Sequence, residues 1–267
     1  MMTRTFAPRT PLVALAALAA AVFGLAPQAS SAQLSAYSQN FETLAPAEIG
    51  WGNTALGNDG WLTWVNVFNA GGAFLHSYGQ FAAPNGTLGY SGVAVGAGGP
   101  AQGNRQLVAY SNYDDGAAHS AGNLVETLVF QQRTVTPADV GTAWTFQFDA
   151  KLFNLAAPST ARAFIWTLDP NNGFQASASA SVDMSAVPTN WGSYSMPFTI
   201  TAGAGQILQF GFASVATNYT GSAVYYDNVS FAPVPEPATY ALRFTGLGLI
   251  GLAARRRAPQ VLRRRQG

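Results

Sequence analysis

The sequence predicts an all-β protein, a two-sheet sandwich carried between two basic, apolar ends, and three observations predict it. Apolar and polar residues alternate with period two: Trp144, Phe146 and Phe148 interleave with Thr145, Gln147 and Asp149, the pattern of a strand with one buried face. From Phe41 to Phe231 no long stretch carries the apolar period of a helix, while Gly, Asn, Ser and Thr recur as turn formers. Cysteine is absent. That removes disulfides, thiol catalysis and thiolate metal sites, and leaves packing, with a hard-cation site at most, to hold the fold.

The elements follow in chain order. Arg4 and Arg9 precede an apolar run from Pro11 to Pro27, and Ser30-Ser31-Ala32 supplies small residues for cleavage, so residues 1–32 read as a secretory signal peptide. Residues 33–232 form the predicted β-sandwich ectodomain. Its strands are expected at Leu107–Tyr110, Leu124–Gln131, Ala143–Leu152, Arg162–Leu168, Trp191–Ile200, Gln206–Ser214 and Val224–Phe231. Turn-dense Asp169-Pro170-Asn171-Asn172-Gly173 and Thr201–Gly205 separate the later ones. Asn66–Gly103, rich in glycine, reads as short strands with long loops. No internal repeat or long linker divides the ectodomain.

Residues 233–258 change character. Pro235-Glu236-Pro237 leads into the apolar span Ala238–Ala254, then Arg255-Arg256-Arg257. At ~1.5 Å per residue the span covers about 26 Å, enough for a single transmembrane helix in a thinned bilayer. The arginines would stay cytoplasmic and the ectodomain outside. Arg243 lies near the outer end of the span, within snorkelling reach of the headgroups. Residues 259–267 are a basic tail.

The formal net charge of +1 hides this division. Between Gln33 and Val234, four basic residues (Arg105, Arg133, Lys151, Arg162) face eleven acidic ones, a net −7. An acidic folded domain repels polyanions, which excludes nucleic acid as a partner.

Val234-Pro235-Glu236-Pro237, the Gly- and Leu-rich span and Arg255-Arg256-Arg257, in that order, resemble the PEP-CTERM sorting signal. The resemblance implies an exosortase, a membrane protease, as processing partner, and a destination at the cell envelope, surface or extracellular matrix. A second resemblance lies in the ectodomain. Asn40-Phe41-Glu42, Trp144–Lys151, Asn190-Trp191-Gly192-Ser193-Tyr194 and Val224–Phe231 are similar, in their order, to jelly-roll carbohydrate-binding modules of the galactose-binding-like type. It implies a jelly roll in which Glu42 and Asp227 approach each other and supply carboxylates to a structural calcium.

Exposed aromatic rings suit sugar binding, because a pyranose stacks its apolar face on an indole or phenol while amides and acids meet its hydroxyls. Trp61, Trp64 and Tyr113, beside Gly, Asn or Asp, are the expected platforms; Trp144, Trp166 and Trp191 sit in or beside alternating strands and read as core. Catalysis finds little support. No Gly-x-Ser-x-Gly elbow occurs, His76 and His119 are the only histidines, and nothing sets a serine beside either. Asp114-Asp115-Gly116 reads as a turn.

The expected function is therefore an exported, exosortase-sorted, non-catalytic envelope or matrix protein associated with exopolysaccharide or biofilm. The alternative is a carbohydrate-binding module with specific glycan affinity, and behind it an extracellular hydrolase.

Overall fold

A computed structural model describes residues 34–46, 55–82, 91–111, 116–218 and 220–235. The signal peptide, the apolar C-terminal span, the basic tail, Glu236, Pro237, Arg255, Arg256, Arg257 and Tyr113 lie outside the described residues. No described helix is long and apolar enough to cross a membrane.

The described strands are β1 (Tyr37–Gln39), β2 (Trp61–Phe68), β3 (Phe74–Ala82), β4 (Gly92–Val95), β5 (Arg105–Tyr110), β6 (Leu124–Thr134), β7 (Ala143–Leu155), β8 (Thr160–Asp169), β9 (Gln175–Asp183), β10 (Gly192–Thr199), β11 (Ile207–Ala216) and β12 (Ser222–Pro233). Among the described residues helix is confined to single turns at Ala55–Asn58, Gly116–Ser120 and Pro170–Asn172. Sheet 1 runs β10-β7-β12-β5-β4, with β1 also on β12; sheet 2 runs β3-β2-β6-β11-β8-β9. Every pairing is antiparallel. From β5 to β8 successive strands alternate between sheets, so the chain wraps a β-sandwich.

Rings fill the space between the sheets. Phe210 and Phe212 of sheet 2 meet Phe146, Phe148, Tyr226 and Phe231 of sheet 1, with Phe212 stacked 3.6 Å from Tyr226 and Phe210 stacked 4.4 Å from Phe231. Each such side chain contributes about 1.5–3 kcal/mol on burial, and a good ring pair roughly 0.5–1.5 kcal/mol more.

Three expectations change here. Trp61 is wholly buried, not an exposed platform. β2 alternates strictly, sending Trp61, Thr63, Val65 and Val67 inward and leaving Leu62, Trp64, Asn66 and Phe68 half-buried on the other face. The Trp61 indole N–H donates to the Tyr37 hydroxyl at 2.9 Å, which removes the cost of burying it.

The stretch read as short strands with long loops contains the end of β2 and the whole nine-residue β3, joined by a turn in which Asn69 Oδ1 accepts from the Gly71 and Ala73 N–H groups. As an edge strand, β3 takes its register from β2 and needs no strong alternation of its own. The third change concerns β6 and β11, expected to be half-buried. Both are buried on both faces over most of their length, so sheet 2 carries apolar cover on its outer face as well.

Candidate functional site

That cover builds the site. On the face of sheet 2 turned away from the core, Leu128 and Phe130 of β6, Phe164 of β8 and Ala213 of β11 form a buried cluster, with Leu62, Trp64 and Trp166 packed against it. Between β6 and β8, β11 presents Gly211 and Ala213 to the middle of this face, with Gln209 beyond them. A Cβ on Gly211 would stand 2.2 Å from the Val129 carbonyl oxygen, so the strands approach too closely there for any larger residue. The small residues keep the floor low and the tryptophans stand as walls.

The result is a groove of about 540 Å³ lined by Trp64, Asn66, Phe74, Ser77, Leu128, Phe130, Trp166, Leu168, Gly173, Phe174 and Gln209. The rim holds two exposed rings, Phe74 at 59% and Phe174 at 57% of full exposure. Phe174 has φ +58°, directly after Gly173 at +61°. Asp169 sets this turn: its side chain accepts from the Asn171 N–H at 2.9 Å and its carbonyl from the Phe174 N–H at 2.9 Å. A bulky ring in the left-handed region is a strained placement, of the kind that concentrates at binding sites.

Both indole N–H groups are already engaged. Trp64 Nε1 donates to Asn66 Oδ1 at 3.0 Å, and Trp166 Nε1 to Gln209 Oε1 at 2.6 Å. Behind them Asn66 Nδ2 donates to Glu126 Oε2 at 2.8 Å, and Arg162 Nη2 to Glu126 Oε1 at 2.5 Å. The Arg162 guanidinium lies 5.5 Å from the Trp166 ring centre and 6.0 Å from that of Phe164.

A second cluster sits on sheet 1 at the irregularity in β12. Asp227 is fully buried and its Oδ2 has no hydrogen-bond partner. Burial, with the charges of Glu42 and Asp149, pushes its carboxyl up to about 7 against the pull of the Asn228 N–H. Glu42 Oε1 accepts from the Asn104 and Arg105 N–H groups, both at 2.7 Å. Burial also acts on Asp149, but hydrogen bonds from Asn228, Ser193 and Gln102 outweigh it and hold that carboxyl below its usual range. Phe41 and Asn228, each next to one of the two calcium candidates Glu42 and Asp227, have φ +59° and +46°.

Among the described residues no group of three or more His, Cys, Asp or Glu is arranged to hold a metal. With Asp149 committed to three donors, a cation between Glu42 and Asp227 would complete its shell with backbone carbonyls, which suits only a hard, oxygen-seeking ion.

Of the expected platforms, Trp64 lines the groove, Trp61 lies beneath sheet 2 in the core, and Tyr113 is outside the described residues. Trp144 is core as expected. Trp166, also read as core, stands in the groove wall because β8 points Ala163 and Ile165 inward and Phe164 and Trp166 outward. Phe174 was overlooked; the available signal was a large ring placed directly after a Pro-Asn-Asn-Gly turn.

No family model matches the sequence, and no curated protein does. Solved structures do show similarity. The structure described as "CBM4 structure and function" aligns at 17% identity over 73% of this chain and 97% of that one, TM-score 0.34. A cyclase from Fischerella sp. TAU aligns at 17% identity over 75% and 98%, TM-score 0.41. The enzymatically active domain of bacteriophage CBA120 tailspike protein 4 aligns at 17% identity and TM-score 0.37, over 54% of this chain but only 18% of that one. Carbohydrate-binding modules recur among the similar structures. At these scores the likenesses carry no argument, and the ligand is read from the groove.

Proposed function

We propose that this β-sandwich, of jelly-roll type, is a non-catalytic carbohydrate-binding module that holds an extracellular polysaccharide in the groove between Trp64 and Trp166. One observation carries the reading: two indoles whose N–H groups are tied back to Asn66 and Gln209 can offer a ligand only ring face, and Trp166, stacked on Phe164 at 4.1 Å, offers the face turned away from it. Faces without donors suit the apolar side of a pyranose, and Asn66, Ser77 and Gln209 stand in the same lining to meet its hydroxyls. Among the described residues the lining includes no carboxylate, whereas glycoside hydrolysis uses two. Glu126, behind the wall, is spent on Asn66 and Arg162.

Affinity electrophoresis of the protein through gels containing barley β-glucan, arabinoxylan, galactomannan or a bacterial exopolysaccharide tests this. Retardation in at least one gel is expected, with loss of it in Trp64→Ala and Trp166→Ala. Free migration through every gel would reject the reading.

A structural calcium at Glu42 and Asp227 belongs to the same proposal. The buried, unpartnered Oδ2 of Asp227 and the repulsion from Glu42 support it, since a divalent cation would neutralise both carboxylates. Delivery is the other half. The sequence supports export through the signal peptide, membrane insertion by the C-terminal span, and exosortase processing at Pro235-Glu236-Pro237 ahead of Arg255-Arg256-Arg257, with display at the cell surface or in the matrix. Removal of residues 235–267 is expected to mislocalise the protein; unchanged envelope location in that truncation would refute the sorting step.

A further inference from the structure

We propose that Asn66, Glu126 and Arg162 form a strut that ties the two tryptophan walls to each other and sets their spacing before any ligand arrives. The inference rests on the groove being the glycan site, and it assigns the three residues a positioning role.

The connection is unbroken from one wall to the other. Asn66 Oδ1 accepts from the Trp64 indole and its Nδ2 donates to Glu126, so a single orientation of the amide satisfies both partners. Asn66 and Glu126 are direct cross-strand neighbours on β2 and β6. Glu126 then spends its other oxygen on Arg162, which reaches it from β8 across the whole width of β11. Arg162 pairs in register with Ala213, a residue small enough to let the long side chain pass over it. Its guanidinium reaches the Trp166 ring at 5.5 Å, within the range of a cation–π contact.

Stability is a poor explanation for this arrangement. Glu126 is only 7% exposed and Arg162 Nε is buried without a hydrogen bond. The Arg162 side chain is itself 39% exposed, and an ion pair open to water on one side, with an unmatched donor, contributes little to stability. Fixed geometry is what such a pair supplies. A guanidinium held by Glu126 within 5.5 Å of the Trp166 ring centre hinders that ring from turning into the groove, and Asn66 does the same for Trp64. Walls fixed in advance spare the ligand the cost of ordering two large side chains.

The experiment uses the full chain labelled with 15N-tryptophan, whose indole N–H signals are assigned through Trp64→Phe and Trp166→Phe. Glu126→Gln keeps the size of the side chain but opposes one of its two donors with an amide N–H. It is expected to shift the signals of both Trp64 and Trp166, although the substituted side chain would touch neither ring, and to leave those of Trp61 and Trp144 in place, which shows the core intact. Arg162→Lys keeps the charge and loses the planar contact, and should shift Trp166 more than Trp64. On barley β-glucan or arabinoxylan gels, whichever retards the native protein, Glu126→Gln should bind about tenfold more weakly. A Glu126→Gln protein in which the Trp166 signal stays put overturns the strut, whatever the gels show. So does native retardation by that protein when both signals have moved. If the native protein is retarded by no polysaccharide, the glycan reading fails separately, and a joint shift of the two indoles still supports the coupling.

Discussion

The two outer faces of this sandwich differ although they share one core. On sheet 1 the outer surface around β7, β10 and β12 offers Gln147, Asp149, Ser193, Ser195, Asn228 and Ser230 to a shallow hollow of about 340 Å³. On sheet 2 the corresponding surface is an apolar floor walled by two tryptophans. The polar face follows the usual rule for an antiparallel sheet, hydrophobic inside and hydrated outside. The apolar face breaks that rule at Leu128, Phe130 and Phe164. An apolar surface away from the core is the kind of feature that accompanies interaction sites, and the proposed glycan groove would account for it.

The largest effect should come from what the faces share. Phe212 contacts Trp61, Phe146, Phe148 and Tyr226, and Phe212→Ala is expected to cost about 3–5 kcal/mol of stability. Urea unfolding followed by circular dichroism would read it, and a loss below about 1 kcal/mol would mean the sheets are not packed through this ring. The faces themselves separate next. Trp166→Ala and Trp64→Ala should each weaken polysaccharide binding by about 2 kcal/mol, roughly thirtyfold. Ser195→Ala on sheet 1 should change neither binding nor stability by more than ~0.5 kcal/mol. Equal effects of Ser195→Ala and Trp64→Ala on gel retardation would dissolve the comparison.

Sheet 1 has its own weak point in Asp227. With its carboxyl pushed up to about 7 from the ordinary 3.8, the folded protein holds a proton that the unfolded chain has released between those values. Stability of the calcium-free protein therefore falls as pH rises through that window and levels off above it. A bound cation favours the ionised form and opposes the fall, so calcium should raise Tm more at pH 7.5 than at pH 5. Asp227→Asn is expected to flatten the pH dependence in chelator and to abolish the calcium response, and Glu42→Ala to reduce that response. A calcium shift of the same size at both pH values, or one surviving in Asp227→Asn, would remove the site.

The sequence made the core face of the sandwich legible and the binding face much less so. Period-two alternation is loud in β7, where Trp144, Phe146 and Phe148 point one way. In β6 and β11 both faces are apolar, so alternation disappears in the strands that form the groove floor and its support. Trp61 and Trp64 looked alike in one dimension. Three residues apart on one strand they must face opposite sides, and the place of β2 in sheet 2 decides which of them meets the core. β9, an exposed edge strand of alternating Ser and Ala, gave no signal because it lacks the branched and aromatic residues that mark strands. The Glu42 and Asp227 cluster joins residues from opposite ends of the ectodomain and was legible only through resemblance.

The smallest effect expected within the groove is also the most discriminating, because its two readouts have opposite signs. Phe174 sits at φ +58° with its ring largely in solvent, a placement that costs a non-glycine residue of its type about 1–2 kcal/mol. Glycine adopts this φ freely but loses roughly 0.5–1 kcal/mol through unfolded-chain entropy. Phe174→Gly should therefore be neutral to stabilising, by up to about 1 kcal/mol in urea unfolding. If the ring is a lip of the groove, the same change should weaken polysaccharide retardation severalfold. A substitution that helps the fold and harms binding marks a strained residue kept for its contact with ligand. If Phe174→Gly instead lowers stability by more than about 1 kcal/mol with binding untouched, the ring is packing against sheet 2 and the rim of the groove ends at Gly173.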